Sequence, residues 1–247
     1  MFEAYSPFGP GSRTVPPGPR SLAAMSEHDF RVRISEDGPY ELVGTPPLVR
    51  TAQVETEFGE PIGWEEPTPI DVRGAPDLCR CGTSSRKPFC DASHETNGFD
   101  GTEVADRRPT AERAKALHGH DVVLRDDREL CTHAGHCADR FTDVWELIRR
   151  TSDPAVRERL QRMVELCPSG RLSHAPADDA PSVEPAYEPS VAVIRDGPLW
   201  VRGGIPVESS DGTTYEVRNR MTLCRCGHSS NKPFCDGTHK DIGFRDD

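Results

Sequence analysis

Leu78-Cys79-Arg80-Cys81-Gly82, then Lys87-Pro88-Phe89-Cys90-Asp91, with Ser93 and His94 close behind, is the stretch that organises this 247-residue chain. It returns 145 residues later as Leu223-Cys224-Arg225-Cys226-Gly227 and Lys232-Pro233-Phe234-Cys235-Asp236, followed by Thr238 and His239. Gly98-Phe99 and Gly243-Phe244 keep the same offset. Upstream, Asp37-Gly38-Pro39 matches Asp196-Gly197-Pro198 at an offset of 159, so the connection leading to the second set of cysteines is shorter by 14 residues. Each unit is predicted to begin with a short strand, a turn and a second strand.

The repeated motif reads C-x-C-x2-S-x3-P-x-C-D-x-[ST]-H. In an extended loop, residues two apart project to one side, so Cys79 and Cys81 can hold one iron together. Cys90 and His94 are four apart, a spacing that stacks them on one helical turn, with Asp91 near its N-cap. The free N–H groups of such a turn favour an anionic group, and Lys87 and Lys232 add positive charge beside it. On ligand count alone, three sulfurs and one nitrogen also suit a closed tetrahedral zinc site. C-x-C is nevertheless tighter than the usual C-x2-C zinc knuckle.

These residues resemble the CDGSH iron–sulfur family, over roughly Phe30 to Phe99 and Val191 to Phe244. The resemblance implies one [2Fe–2S] cluster per motif, held by Cys79, Cys81, Cys90 and His94 and by Cys224, Cys226, Cys235 and His239. As in the family's tandem members, one chain supplies both motifs. Ala92 departs from the family's usual glycine, which Gly237 keeps; alanine there needs a negative φ or some strain. A histidine ligand makes the cluster one charge unit less negative than four thiolates would, which raises its potential and couples it to protons.

Between the repeats, Cys131-Thr132-His133-Ala134-Gly135-His136-Cys137 precedes a distant Cys167-Pro168-Ser169-Gly170. The spacing is that of a bacterial ferredoxin loop with Ala134 in the middle slot. The segment from about Asp121 to Ser173 resembles the divergent [4Fe–4S] ferredoxin-like mono-cluster domain. That resemblance implies a [3Fe–4S] cluster on Cys131, Cys137 and Cys167, or a [4Fe–4S] cluster whose fourth ligand is His133, His136, water or a partner; His133 is the candidate, set against the reading of both histidines as solvated loop residues. The alternatives are buried apolar cysteines and a zinc site completed by a histidine. Ser152-Asp153-Pro154 caps a predicted helix that aligns Val156, Leu160, Val164 and Cys167. Thr110 is read as the cap of a helix over Ala111–Leu117 ended by Gly119, and Asp121–Leu124 as a strand.

The remaining features set bounds. A formal charge of −11 argues against nucleic-acid binding, and 34% hydrophobic residues suit two or three modest cores. Nine cysteines, in three groups of three, cannot all close into disulfides within one chain. No apolar run suits a membrane span or signal peptide, which gives the expectation of a cytoplasmic location. Residues 1–26 read as a disordered proline-rich leader, with Met25 an alternative start. Units over 27–103, 104–180 and 181–247 follow, the last opened by a Pro176–Pro189 linker. The expected fold is α+β: two β-rich CDGSH-type units as a pseudo-symmetric pair, and a small α+β ferredoxin-like module between them. His118, His120 and Asp121 read as a solvated turn, Glu65-Glu66 and Asp178-Asp179 as loop charge, and Trp145 as core packing or a redox-partner contact. All nine cysteines fall in the three cluster motifs and no substrate-turnover motif is present, so the expected role is electron transfer, with the acidic surface suited to a basic reductase or oxidase as partner. The alternatives are a redox- or pH-sensitive sensor, a donor of clusters to apo-proteins and, last, a zinc-stabilised interaction module. Pairing of the outer units within one chain favours a monomer over a homodimer.

Overall fold

The computed structural model describes residues 30–72, 74 and 76–246, so the proline-rich leader and its two methionines lie outside the described residues. The first unit supplies β1 (Arg31–Ile34), β2 (Tyr40–Val43), β3 (Leu48–Thr51), β4 (Gln53–Glu55), β5 (Pro61–Trp64), β6 (Thr68–Pro69) and β7 (Asp77–Leu78). The middle module supplies α1 (Thr110–Arg113), β8 (Lys115–His118), β9 (Val123–Asp126), α2 (Val144–Leu147), α3 (Pro154–Glu165) and β10 (Leu172–Ala175). The second unit supplies β11 (Ser190–Ile194), β12 (Leu199–Arg202), β13 (Val207–Glu208), β14 (Arg220–Leu223) and α4 (Thr238–Asp241).

Both predicted opening hairpins form, β1 against β2 and β11 against β12, and each turns on a left-handed aspartate, Asp37 or Asp196. The units then exchange strands. One sheet has the order β13-β1-β2-β7, with Val32 opposite Val207 in a parallel pair. The other has the order β14-β12-β11-β3-β6, with Leu48 opposite Val191, also parallel. The second unit thus lends β13 and the first lends β3 with β6, and one apolar core draws Val32, Ile34, Tyr40 and Leu42 together with Val191, Val193, Leu199 and Val207. Strand β11 is buried at every position, as its unbroken Ser-Val-Ala-Val-Ile run requires of a strand covered on both faces. Its other face packs Ala192 and Ile194 with Trp200 and Trp64.

The middle module has its own core of Val122, Leu124, Val144, Leu147, Leu160, Val164 and Leu172. Helix α3 starts where its cap predicts: Pro154 follows Asp153, whose carboxylate accepts from the Ala155 amide at 2.9 Å. The helix expected over Ala111–Leu117 forms only in part. It stops at Arg113, Ala114 turns extended, and Lys115–His118 pairs antiparallel with β9. Alanine, lysine and leucine are good helix formers, but intrinsic propensity is worth little beside tertiary pairing, and the three-stranded ladder β10-β9-β8 overrides it. Thr110 is not the cap either: its amide and hydroxyl both bind the Glu216 carboxylate of the second unit. The expected strand at Asp121–Leu124 begins two residues later, at Val123. Among the described residues no helix is long and apolar enough to cross a membrane.

Candidate metal centres

In both outer motifs the C-x-C pair follows the last strand before it, on a loop pinned by backbone bonds. The Cys79 amide donates to Pro88 O and the Cys90 amide to Asp77 O, each at 2.8 Å. In the second motif Cys224 donates to Pro233 O at 2.8 Å and Cys235 to Thr222 O at 3.0 Å. Cys79 and Cys81 bring their sulfurs to 3.7 Å, as do Cys224 and Cys226. Cys90 Sγ lies 3.4 Å from His94 Nδ1, and Cys235 Sγ lies 3.3 Å from His239 Nδ1. The predicted pairing of donors is therefore present twice. Asp91 shapes the turn by accepting from the Ser85 and Ser93 amides, and hydrogen bonding, led by the Ser93 hydroxyl, holds its carboxyl well below the usual range. Asp236 repeats those contacts with Ser230 and Thr238.

The residue before each short histidine-bearing turn is left-handed, Ala92 at φ +66° and Gly237 at φ +94°. Ala92 keeps the geometry and takes the strain instead, at a cost of roughly 1–2 kcal/mol. The two motifs also touch across the exchanged sheets. A Cβ on Gly82 would collide with Cys226 O, and one on Gly227 would collide with Cys81 O. Tyr40 of the first unit donates to Cys224 O at 2.6 Å.

The two thiols of each C-x-C pair are shifted in opposite directions, Cys79 and Cys226 up and Cys81 and Cys224 down, and burial raises Cys90 and Cys235. Burial pushes the Cys79 thiol up to about 11, against the Ser84 and Gly82 amides, which favour its thiolate. A hydrogen bond from Cys226, and then the Ser229, Cys226 and Gly227 amides, brings Cys224 down to about 6. Burial first, and then the Lys240 charge, holds His239 down at about 4, the neutral form that can ligate.

In the middle module Cys131, Cys137 and Cys167 all line one cavity of about 280 Å³. The third thiol sits just past α3, on the turn Cys167-Pro168-Ser169-Gly170, and both outer units clamp that turn. Arg220, 1% exposed, donates to Val164 O, Glu165 O, Cys167 O and Leu172 O while pairing with Glu184 at 2.6 Å. Arg218 reaches Ser169 O and Gly170 O, and Trp64 Nε1 reaches Leu166 O at 3.0 Å. Arg171, inside the cavity, donates to Cys131 Sγ at 3.0 Å. Sequence reasoning singled out neither these three arginines nor Trp64, because only the fold brings their partners to them.

His133, the candidate fourth ligand, lines the same cavity, but its ring edge lies against Gly237. His136 is buried rather than solvated: it packs against Trp64, lies 3.1 Å from Gln53 Nε2, and is held by burial at about 4. Trp145 packs against the module's core and faces the thiol cavity. His118 and His120 are exposed and pair only with Asp178 and Asp121.

Among the described residues, no group of three or more histidine, cysteine or acidic side chains converges on a single ion. Donors set out as pairs, or spread around a cavity, fit groups of several irons, in which each iron takes only one or two protein ligands. All nine cysteines are free thiols.

Comparison with known proteins agrees. Residues 37–95 and 196–240 match the family described as iron-binding zinc finger, CDGSH type, and residues 117–176 match the divergent 4Fe-4S mono-cluster family. No curated protein and no solved structure matches the chain. With paired Cys and His donors in the outer motifs and three thiols around one cavity between them, the chain is an iron–sulfur cluster-binding protein that joins two CDGSH-type segments to a divergent 4Fe-4S mono-cluster segment.

Proposed function

We propose that the chain is an electron-transfer protein with three iron–sulfur centres. Two are [2Fe–2S] centres on Cys79, Cys81, Cys90 and His94 and on Cys224, Cys226, Cys235 and His239. The third is a [4Fe–4S] or [3Fe–4S] centre on Cys131, Cys137 and Cys167, with His133 the candidate for a fourth donor. The outer units act as a pseudo-symmetric pair within one monomer, and the reciprocal strand exchange and the matched Gly82 and Gly227 approaches support this.

The observation that carries the reading is the seating of the middle loop on the second motif. His133 lies against Gly237, Lys240 Nζ donates to His133 O at 2.6 Å, and a cavity of about 210 Å³ is lined by both Ala134 and His239. Bound clusters supply one-electron redox chemistry. The chain's part is to fix the donors in a buried, low-dielectric setting and to keep the sites in packed contact, so that little reorganisation accompanies a change of charge. The partner in this reading is a reductase or oxidase, the compartment is cytoplasmic, and the chain turns over no substrate of its own.

A second reading, cluster donation to an apo-protein or redox sensing, is favoured by one observation: Cys90 and His94 are only partly buried. The test is combined iron, sulfide and zinc analysis with electron paramagnetic resonance on protein purified anaerobically. Full loading gives about seven or eight irons per chain with matching sulfide. Zinc without sulfide overturns the reading, and rapid transfer of clusters to an apo-ferredoxin selects the second.

A further inference from the structure

We infer that Arg171 sets the reduction potential of the middle centre, held in register by Asp126 and Trp145; the inference rests on reading Cys131, Cys137 and Cys167 as cluster ligands. Arg171 is 6% exposed and lines the cavity that the three thiols line. One terminal nitrogen of its guanidinium donates to Cys131 Sγ at 3.0 Å. The other two nitrogens grip the Asp126 carboxylate at 2.6 and 3.0 Å in a two-point fork. Trp145 closes the arrangement: its ring lies 5.2 Å from the guanidinium carbon, and its Nε1 donates to Asp126 Oδ2 at 3.0 Å. Asp126 ends β9 directly opposite Leu172 of β10, so backbone pairing fixes the distance between the partners.

Adding an electron makes a thiolate-bound cluster more negative. A buried cation that donates to a ligand sulfur stabilises that form more than the oxidised one, which raises the potential. Asp126 works in the opposite sense by offsetting part of the cation's charge. The two side chains form a matched pair whose members shift the centre in opposite directions. An ion pair with a structural role alone has no such signature.

The experiment is a redox titration monitored by electron paramagnetic resonance on the full chain, with the two outer centres as internal reference. Arg171→Met is expected to lower the equilibrium constant for reduction of the middle centre about tenfold, or 59 mV for one electron. Arg171→Lys, which keeps the charge and loses the fork, is expected to shift it less, and Asp126→Asn to shift it upward. Should Arg171→Met fail to fold, the opposite shifts of Arg171→Lys and Asp126→Asn still decide. Unchanged midpoints in variants that retain the middle cluster overturn the inference alone. Wild-type protein without a middle cluster overturns the reading beneath it.

Discussion

The two outer motifs share sequence and donor geometry and differ in what covers them. Cys235 is 2% exposed and His239 6%, whereas Cys90 and His94 are partly open to solvent. The cover is the middle module. Lys240 bonds to His133 O, Asn231 bonds to Glu129 O, and Gly237 is buried against the His133 ring, whereas its counterpart in the first unit, Ala92, is exposed. The same ligand set is thereby placed in two environments. In the proposed reading, the open one suits exchange with a partner and the covered one suits retention.

Removing the clamp tests this contrast most severely. Arg220→Met strips a buried guanidinium from Glu184 and from four carbonyls, and an expected loss of about 3–5 kcal/mol should appear in denaturant unfolding. An unchanged midpoint would show that the middle module docks without it. Next in size is cluster retention. With only one outer centre left intact, in Cys235→Ser or Cys90→Ser protein, a chelator should strip the first centre about tenfold faster than the second, the ratio given by about 1.4 kcal/mol of extra local opening. Equal rates would mean that the cover is irrelevant.

Gly237→Ala sharpens the comparison at a single atom. Its Cβ would meet the His133 ring at 2.8 Å on a left-handed backbone, so the change is expected to cost more than about 1 kcal/mol and to speed loss from the second centre. The smallest effect belongs to Ala92→Gly. Relief of its left-handed strain should stabilise the first motif by about 1 kcal/mol or less, visible as a raised unfolding midpoint.

Much of the site was legible in the chain. The 145-residue offset, the C-x-C pair and the four-residue step from cysteine to histidine each correspond to a donor contact, and the Asp153-Pro154 cap marks the start of α3. What stayed hidden was decided at long range. Ala-Lys-Ala-Leu gives a helical signal, yet it becomes β8 because β9 offers a ladder. The parallel partners β1 with β13 and β3 with β11 come from opposite ends of the chain, and a local pattern carries no register between them. Arg171 and Arg220 owe their roles to the carbonyls, carboxylates and sulfur that the fold brings to them, and spacing does not encode these.

The traded strands also bear on how the protein matures. The first sheet is incomplete until β13 leaves the ribosome, and the second borrows β3, made long before, so neither hairpin can settle into its final partners during most of translation. The donor loop of the earlier-made motif therefore reaches its final packing, Gly82 against Cys226 O, only when nearly the whole polypeptide has been made.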